Sequence, residues 1–291
     1  MIETVVALTL FFLAAASYFD LRDGEIPDKL SFTLALLMVA FSLLSVVFGY
    51  GIALLRSAPV GVAYFAFGYL LYRLGQWGGG DVKIMGGVGL SLGLLDYLGF
   101  HWSNVELAPY YLSFFVNMGI ASIPYIIAYS VILSFRKPSV LSKFRQTMGS
   151  WRFILGFSLL AVPPVAAYLS GRTLVSYVMA LPPLYLLLSI YLKSVEYEAL
   201  QKTVSVSDLS EGDVLAEDLV VDGVRIESKR SIEGMYCQKA EEIKKLALDG
   251  KIPPEIRVKW GVKFVPIIAL AYALTLYRGN LMELALYRFF A

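Results

Sequence analysis

The chain has 291 residues, of which 58% are hydrophobic and 16% charged, and its formal net charge is +2. Apolar runs this numerous exclude a soluble globule, and a net charge this small does not suggest nucleic-acid binding. With one cysteine, Cys237, and one histidine, His101, neither a disulfide framework nor a Cys/His zinc cluster can be built within a chain, so neither metal nor cofactor is expected.

A bilayer core takes about 20 apolar residues per helix. On that measure, spans fall near 2–19, 30–49, 57–75, 83–100, 108–135, 153–169, 173–192 and 262–278. The first run lacks a basic leader region and ends in Asp20-Leu21-Arg22-Asp23 where a cleaved signal would have small residues, so it reads as a retained helix. Pro163-Pro164 and Pro182-Pro183 fall in the sixth and seventh spans, and merging or demoting that pair gives six helices with the same sidedness. With the amino terminus outside, all but Arg56, Arg172, Arg278 and Arg288 of the 25 basic residues face the cytoplasm, which is the orientation the positive-inside rule favours.

Residues 194–261 form the one long polar segment. Leu219-Val220-Val221-Asp222-Gly223-Val224-Arg225-Ile226 has the Asp-Gly signal of a β-hairpin. Ala240 to Leu246 has helical spacing, Pro253-Pro254 stops it, and Ile256-Arg257-Val258 reads as extended. The fold class is therefore an all-α polytopic membrane helix bundle of eight, or six, helices with a small cytoplasmic α+β module. The expected division is a membrane bundle over 1–193, the module over 194–261, and over 262–291 a last span with an outer tail. That tail, Asn280 to Ala291, has the character of a short amphipathic helix. No internal repeat or low-complexity run is present.

An ionisable residue at the edge of a membrane helix costs free energy, so it marks a candidate functional site. Asp20 closes the first span and Asp81 opens the fourth, both at the cytoplasmic boundary. Two carboxylates held close cannot both ionise cheaply: one keeps a proton while the other polarises a water, which is the arrangement for peptide hydrolysis without a metal. Asp96 is excluded as a partner, since fifteen helical residues place it about 22 Å from Asp81. Gly78, Gly79 and Gly80 give the backbone room beside an extended substrate. Taken singly, each aspartate also has an ordinary reading as a helix-end cap, and the glycines as a turn. Lys83 either tunes Asp81 or snorkels to the headgroups. Asp23, Glu25 and Asp28 make the first cytoplasmic loop acidic, which either attracts a basic peptide or is a solvated face. Ser113 and Asn117 are expected to bond each other or a neighbouring helix. His101 and Cys237 are read as structural or neutral.

Gly78-Gly79-Gly80-Asp81, continued by Val82-Lys83-Ile84-Met85-Gly86-Gly87, matches a GxGD motif, and Asp20-Leu21-Arg22-Asp23-Gly24-Glu25-Ile26-Pro27-Asp28 forms a second motif after the first helix. Together they resemble the type IV prepilin peptidases, including the archaeal preflagellin peptidases, which are GxGD membrane aspartic proteases. The resemblance is clearest over residues 1–100 and returns from Leu209 through the last span, while 105–190 matches only as membrane helices. It implies an aspartic endopeptidase in the cell membrane, its site facing the cytoplasm, with Asp20 and Asp81 catalytic and Gly78, Gly80 and Lys83 in support. It implies pilin-like or archaellin-like precursors as partners, with Asp23, Glu25 and Asp28 meeting their basic leaders. The chain lacks the four-cysteine module of many bacterial members, which argues against their N-methyltransferase activity. The alternatives are an intramembrane protease similar to presenilin and signal peptide peptidase, whose Tyr-Asp and Pro-Ala-Leu motifs are not convincingly present, and a non-catalytic transporter or assembly scaffold.

Overall fold

A computed structural model describes residues 1–100, 108–209, 213–221, 224–227, 235–259 and 261–290. His101 and the expected Asp222-Gly223 turn lie outside the described residues. Four helices open the chain: α1 (Ile2–Asp23), α2 (Asp28–Leu44), α3 (Leu54–Arg73) and α4 (Gly79–Tyr97). They are followed by α5 (Tyr110–Arg136), α6 (Ser139–Met148), α7 (Trp151–Leu169), α8 (Thr173–Met179) and α9 (Leu181–Glu198). The polar segment holds β1 (Gln201–Ser205), β2 (Leu219–Val221), β3 (Val224–Glu227), α10 (Cys237–Leu248) and β4 (Glu255–Lys259). The chain ends in α11 (Val265–Arg278) and α12 (Leu281–Phe290), the latter where the amphipathic tail is expected.

By length and apolarity, α1, α3, α5, α7 and the α8–α9 pair suffice to cross a membrane, and α11 with α12, bent by 47°, makes a sixth. The expected spans that miss this measure are not the proline-bearing ones. Pro163 and Pro164 sit within an unbroken α7, and Pro182 and Pro183 occupy the first turn of α9, where a missing N–H costs little. The two that fall short are α2 and α4. The first has only 17 residues. The second carries Asp81, Lys83 and Asp96 among its glycines, and it is sheltered by protein.

Two compact units form, one from Met1–Tyr125 with Thr203–Ala291 and one from Ile126–Lys202. In the first, α4 is the central helix, packed by α1, α2, α3 and α11. Its residues from Ile84 to Gly89 are all buried, whereas α3 exposes Leu55, Val62, Phe65 and Leu70. Close approach explains its glycines: a Cβ on Gly93 would lie 2.8 Å from the Ser57 Cα of α3, and one on Gly89 would lie 2.9 Å from the Val60 carbonyl oxygen.

Buried hydroxyls fasten this seam. Thr9 of α1 and Ser91 of α4 share a hydrogen bond of 2.9 Å, Ser91 shares another of 2.7 Å with Tyr272 of α11, and all three residues are fully buried. Ser42 and Ser57 link α2 to α3 in the same way. Asn117 of α5 turns to the neighbouring helices. Its amide donates to Thr275 Oγ1 and to the Gly279 carbonyl, and its oxygen accepts the Leu281 N–H, so one side chain satisfies the backbone groups freed at the α11–α12 bend. Ser113 bonds the Ala108 carbonyl instead.

The polar segment is an α+β module with its own core of Val206, Leu209, Leu215, Ile243, Ile252 and Val258. β1 pairs with β4, and β2 pairs antiparallel with β3 through Val221 and Val224. Arg73, ending α3, lies over the Tyr236 ring at the start of α10. In the second unit α7 packs on α8 and α6 on α9, with Ser134 and Tyr191 joined by a hydrogen bond.

The hydroxyl seam predicts coupling. Ser91→Ala and Tyr272→Phe should each lower stability, but together by less than their sum, with a coupling energy of about 0.6 kcal/mol and at most about 1.7 kcal/mol. Thermal unfolding of the two single variants and the double variant in detergent measures it.

Candidate active site

Three helices of the seam present charged groups at one end. Asp20 lies in the last turn of α1, Asp81 lies in the first turn of α4, and Lys263 stands two residues ahead of α11. The face that Asp20 occupies is set by the seam, because it lies eleven residues from Thr9, which on a helix of 3.6 residues per turn is nearly the same direction. Asp20 is buried, with 6% of its surface exposed, and its Oδ2 accepts the Val265 N–H at 3.1 Å. That N–H is one of the four at a helix start that have no partner within the helix. The carboxylate of α1 thereby caps α11.

Asp81 is half-buried in the first turn of α4, and its Oδ2 accepts the Gly78 N–H at 2.9 Å. It therefore fills the local capping role open to any acid three residues into a helix. It also lies within electrostatic reach of Asp20 and Lys263.

The two sequence motifs touch. A Cβ on Gly80 would meet Ile26 Cβ at 3.0 Å and Cδ1 at 2.9 Å, so the glycine lets the α1–α2 loop settle on the start of α4. Lys83 forms an ion pair with Asp28 and lies 5.3 Å from the centre of the Phe32 ring. Two residues along a helix is about 200° of rotation, so Lys83 leaves α4 on the side away from Asp81. Of the acidic loop, Asp28 is thus engaged by Lys83, Asp23 by Arg22, and Glu25 is exposed. Gly78 is the residue before α4, supplying the N–H that Asp81 accepts, and a Cβ on Gly79 would meet nothing within 4 Å.

Sequence reasoning passes over Lys263. It is buried, with 8% of its surface exposed, and lies within electrostatic reach of Asp20, Asp81, Glu25 and Asp23. Burial pushes its ammonium below the usual lysine range, and the four carboxylates oppose that shift. Its carbonyl accepts the Tyr125 hydroxyl at 2.9 Å. The following Phe264 packs on Trp77, ring centres 4.9 Å apart, directly before the glycines that lead to Asp81. The signal available in the sequence was a lysine at the start of an apolar run, where positive charge is ordinarily an orientation marker.

A polytopic helical membrane protein that gathers two carboxylates and a lysine at one end of three packed helices is the class defined by fold and site. Over residues 7–135, which include both aspartates and stop short of Lys263, the chain matches the model of the type IV leader peptidase family. It is also similar to prepilin peptidase EppA of Methanothermobacter thermautotrophicus, at 23% identity across all of this chain and 99% of that protein. No solved structure matches it.

The contact between motifs makes neighbouring glycines unequal. Gly80→Ala should cost about 1–3 kcal/mol, because the Ile26 Cβ cannot swing away without its backbone, whereas Gly79→Ala should be neutral or slightly stabilising. Melting temperatures of the two variants, in one detergent, check the contrast.

Proposed function

We propose that the chain is a membrane aspartic endopeptidase that removes short basic leaders from pilin-like or archaellin-like precursors at the cytoplasmic edge of the cell membrane. The observation that carries this reading is the placement of Asp20 and Asp81. They lie at the same end of adjacent helices, within electrostatic reach of each other and inside the family-matched region.

Close carboxylates divide the work of hydrolysis. The ionised one takes a proton from water as the water oxygen attacks the scissile carbonyl carbon. The protonated one gives its proton to the carbonyl oxygen, so the tetrahedral intermediate carries no net charge. Collapse of that intermediate re-forms the carbonyl, breaks the C–N bond and sends a proton to the departing amine. The pair ends with one proton, as it began.

The depth of the site suits this substrate class. A precursor with an apolar helix in the bilayer and a basic leader in the cytoplasm places its junction at the level of helix ends, where both aspartates lie. Asp23 and Glu25, on the loop beside Asp20, offer negative charge to such a leader.

Asp20→Asn and Asp81→Asn should each reduce cleavage by about 100-fold or more, since an amide neither takes nor gives the proton. The assay is processing of a synthetic precursor with a lysine-rich leader by purified enzyme, with melting confirming that each variant is folded. Parental rates in both variants overturn the assignment. Mass spectrometry of the products should map the cut to the junction of leader and apolar helix, and a cut within the helix would make the enzyme an intramembrane protease instead.

A further inference from the structure

The residues that complete the carboxylate site come from beyond the family-matched region. The strand β4 of the polar module leads into α11, and three consecutive residues at the entry to that helix each bear on the site in a different way. Lys263 is buried beside both aspartates, Phe264 packs on Trp77 in the loop that presents Asp81, and the Val265 N–H holds Asp20. One segment thus touches both carboxylate-bearing elements, and its only charge is a cation.

We infer that Lys263 is a positioning residue of the carboxylate pair, a built-in cation that favours the state in which the two aspartates share a single proton. This rests on the peptidase reading proposed above. The charged groups within electrostatic reach of its ammonium are Asp20 and Asp23 from the end of α1, Glu25 from the α1–α2 loop and Asp81 from α4, while Tyr125 of α5 bonds the Lys263 carbonyl. Two carboxylates sharing one proton carry a single negative charge, which Lys263 balances. Without it the pair would retain protons to higher pH, because a nearby cation favours the ionised form of a carboxylate and its loss favours the protonated form. Both limbs of the rate–pH profile would then move upward together. In this role the cation acts through the aspartates, so the substrate KM should stay nearly constant.

The test uses the full-length protein in detergent and a synthetic precursor with a lysine-rich leader joined to an apolar helix. The rate–pH profile, kcat and KM are recorded for the parent, Lys263→Met, Lys263→Gln, Lys263→Arg and the surface control Lys251→Met. The expected result is a profile moved to higher pH by about one unit in the Met and Gln variants, with the Arg variant and the control close to the parent. Parental profiles in the Met and Gln variants overturn the inference. Equal losses in the Arg, Met and Gln variants without a shift also overturn it, since they describe a packing role alone. Asp20→Asn and Asp81→Asn run alongside: if they cleave at the parental rate the assignment of the aspartate pair itself fails, whereas if they are inactive and Lys263 proves silent only this inference fails.

Discussion

A hydroxyl buried in apolar surroundings must find a partner, and the chain Thr9–Ser91–Tyr272 meets that demand by joining three helices that are distant in sequence. Helices in lipid gain little from burying one apolar face over another, so the polar contacts choose which faces meet. Once Thr9 points inward, Asp20 does too, three turns further along α1, and the same seam brings the starts of α4 and α11 beside it. Gly89 and Gly93 serve this arrangement by letting α3 lie against α4 at backbone distance. The placement of charge at the end of the bundle follows from contacts about 16 Å away within the membrane core.

At that end the charges fall into two sets on opposite sides of α4. Lys83 and Asp28 form an ion pair at the protein surface, where such pairs contribute little to stability, and their proximity reports chiefly that the α1–α2 loop lies across the start of α4. Asp20, Asp81 and Lys263 are more sheltered, so their interactions are screened less and each charge influences the protonation of the others more strongly. The lysine nearest to Asp81 in sequence therefore belongs to the other set. The lysine beside it in space is 182 positions further along the chain.

The polar module has a core of its own, and the chain that leaves it supplies the Lys263–Val265 contacts before entering α11. Its α10 starts at the residue after Tyr236, which lies beneath the guanidinium of Arg73 at the end of α3. The module and the carboxylate end of the bundle are thus joined by backbone and by side chain within one compact unit.

Much of this organisation was legible in the sequence because it depends on local pattern. Apolar runs mark the helices, the proline pair Pro253-Pro254 marks the end of α10, and the glycine-flanked Asp81 and the Asp20 motif point to the family. The count of spans was less legible, because a window of apolar residues does not distinguish a helix facing lipid from one like α4, which is sheltered by its neighbours. Local pattern also could not reach contacts made across the chain. That Asn117 satisfies the α11–α12 bend, that Asp20 caps α11, and that a buried lysine lies within electrostatic reach of the two carboxylates were decided only when α1, α4, α5 and α11 packed together, since contacts between residues as many as 245 positions apart leave no periodicity to read.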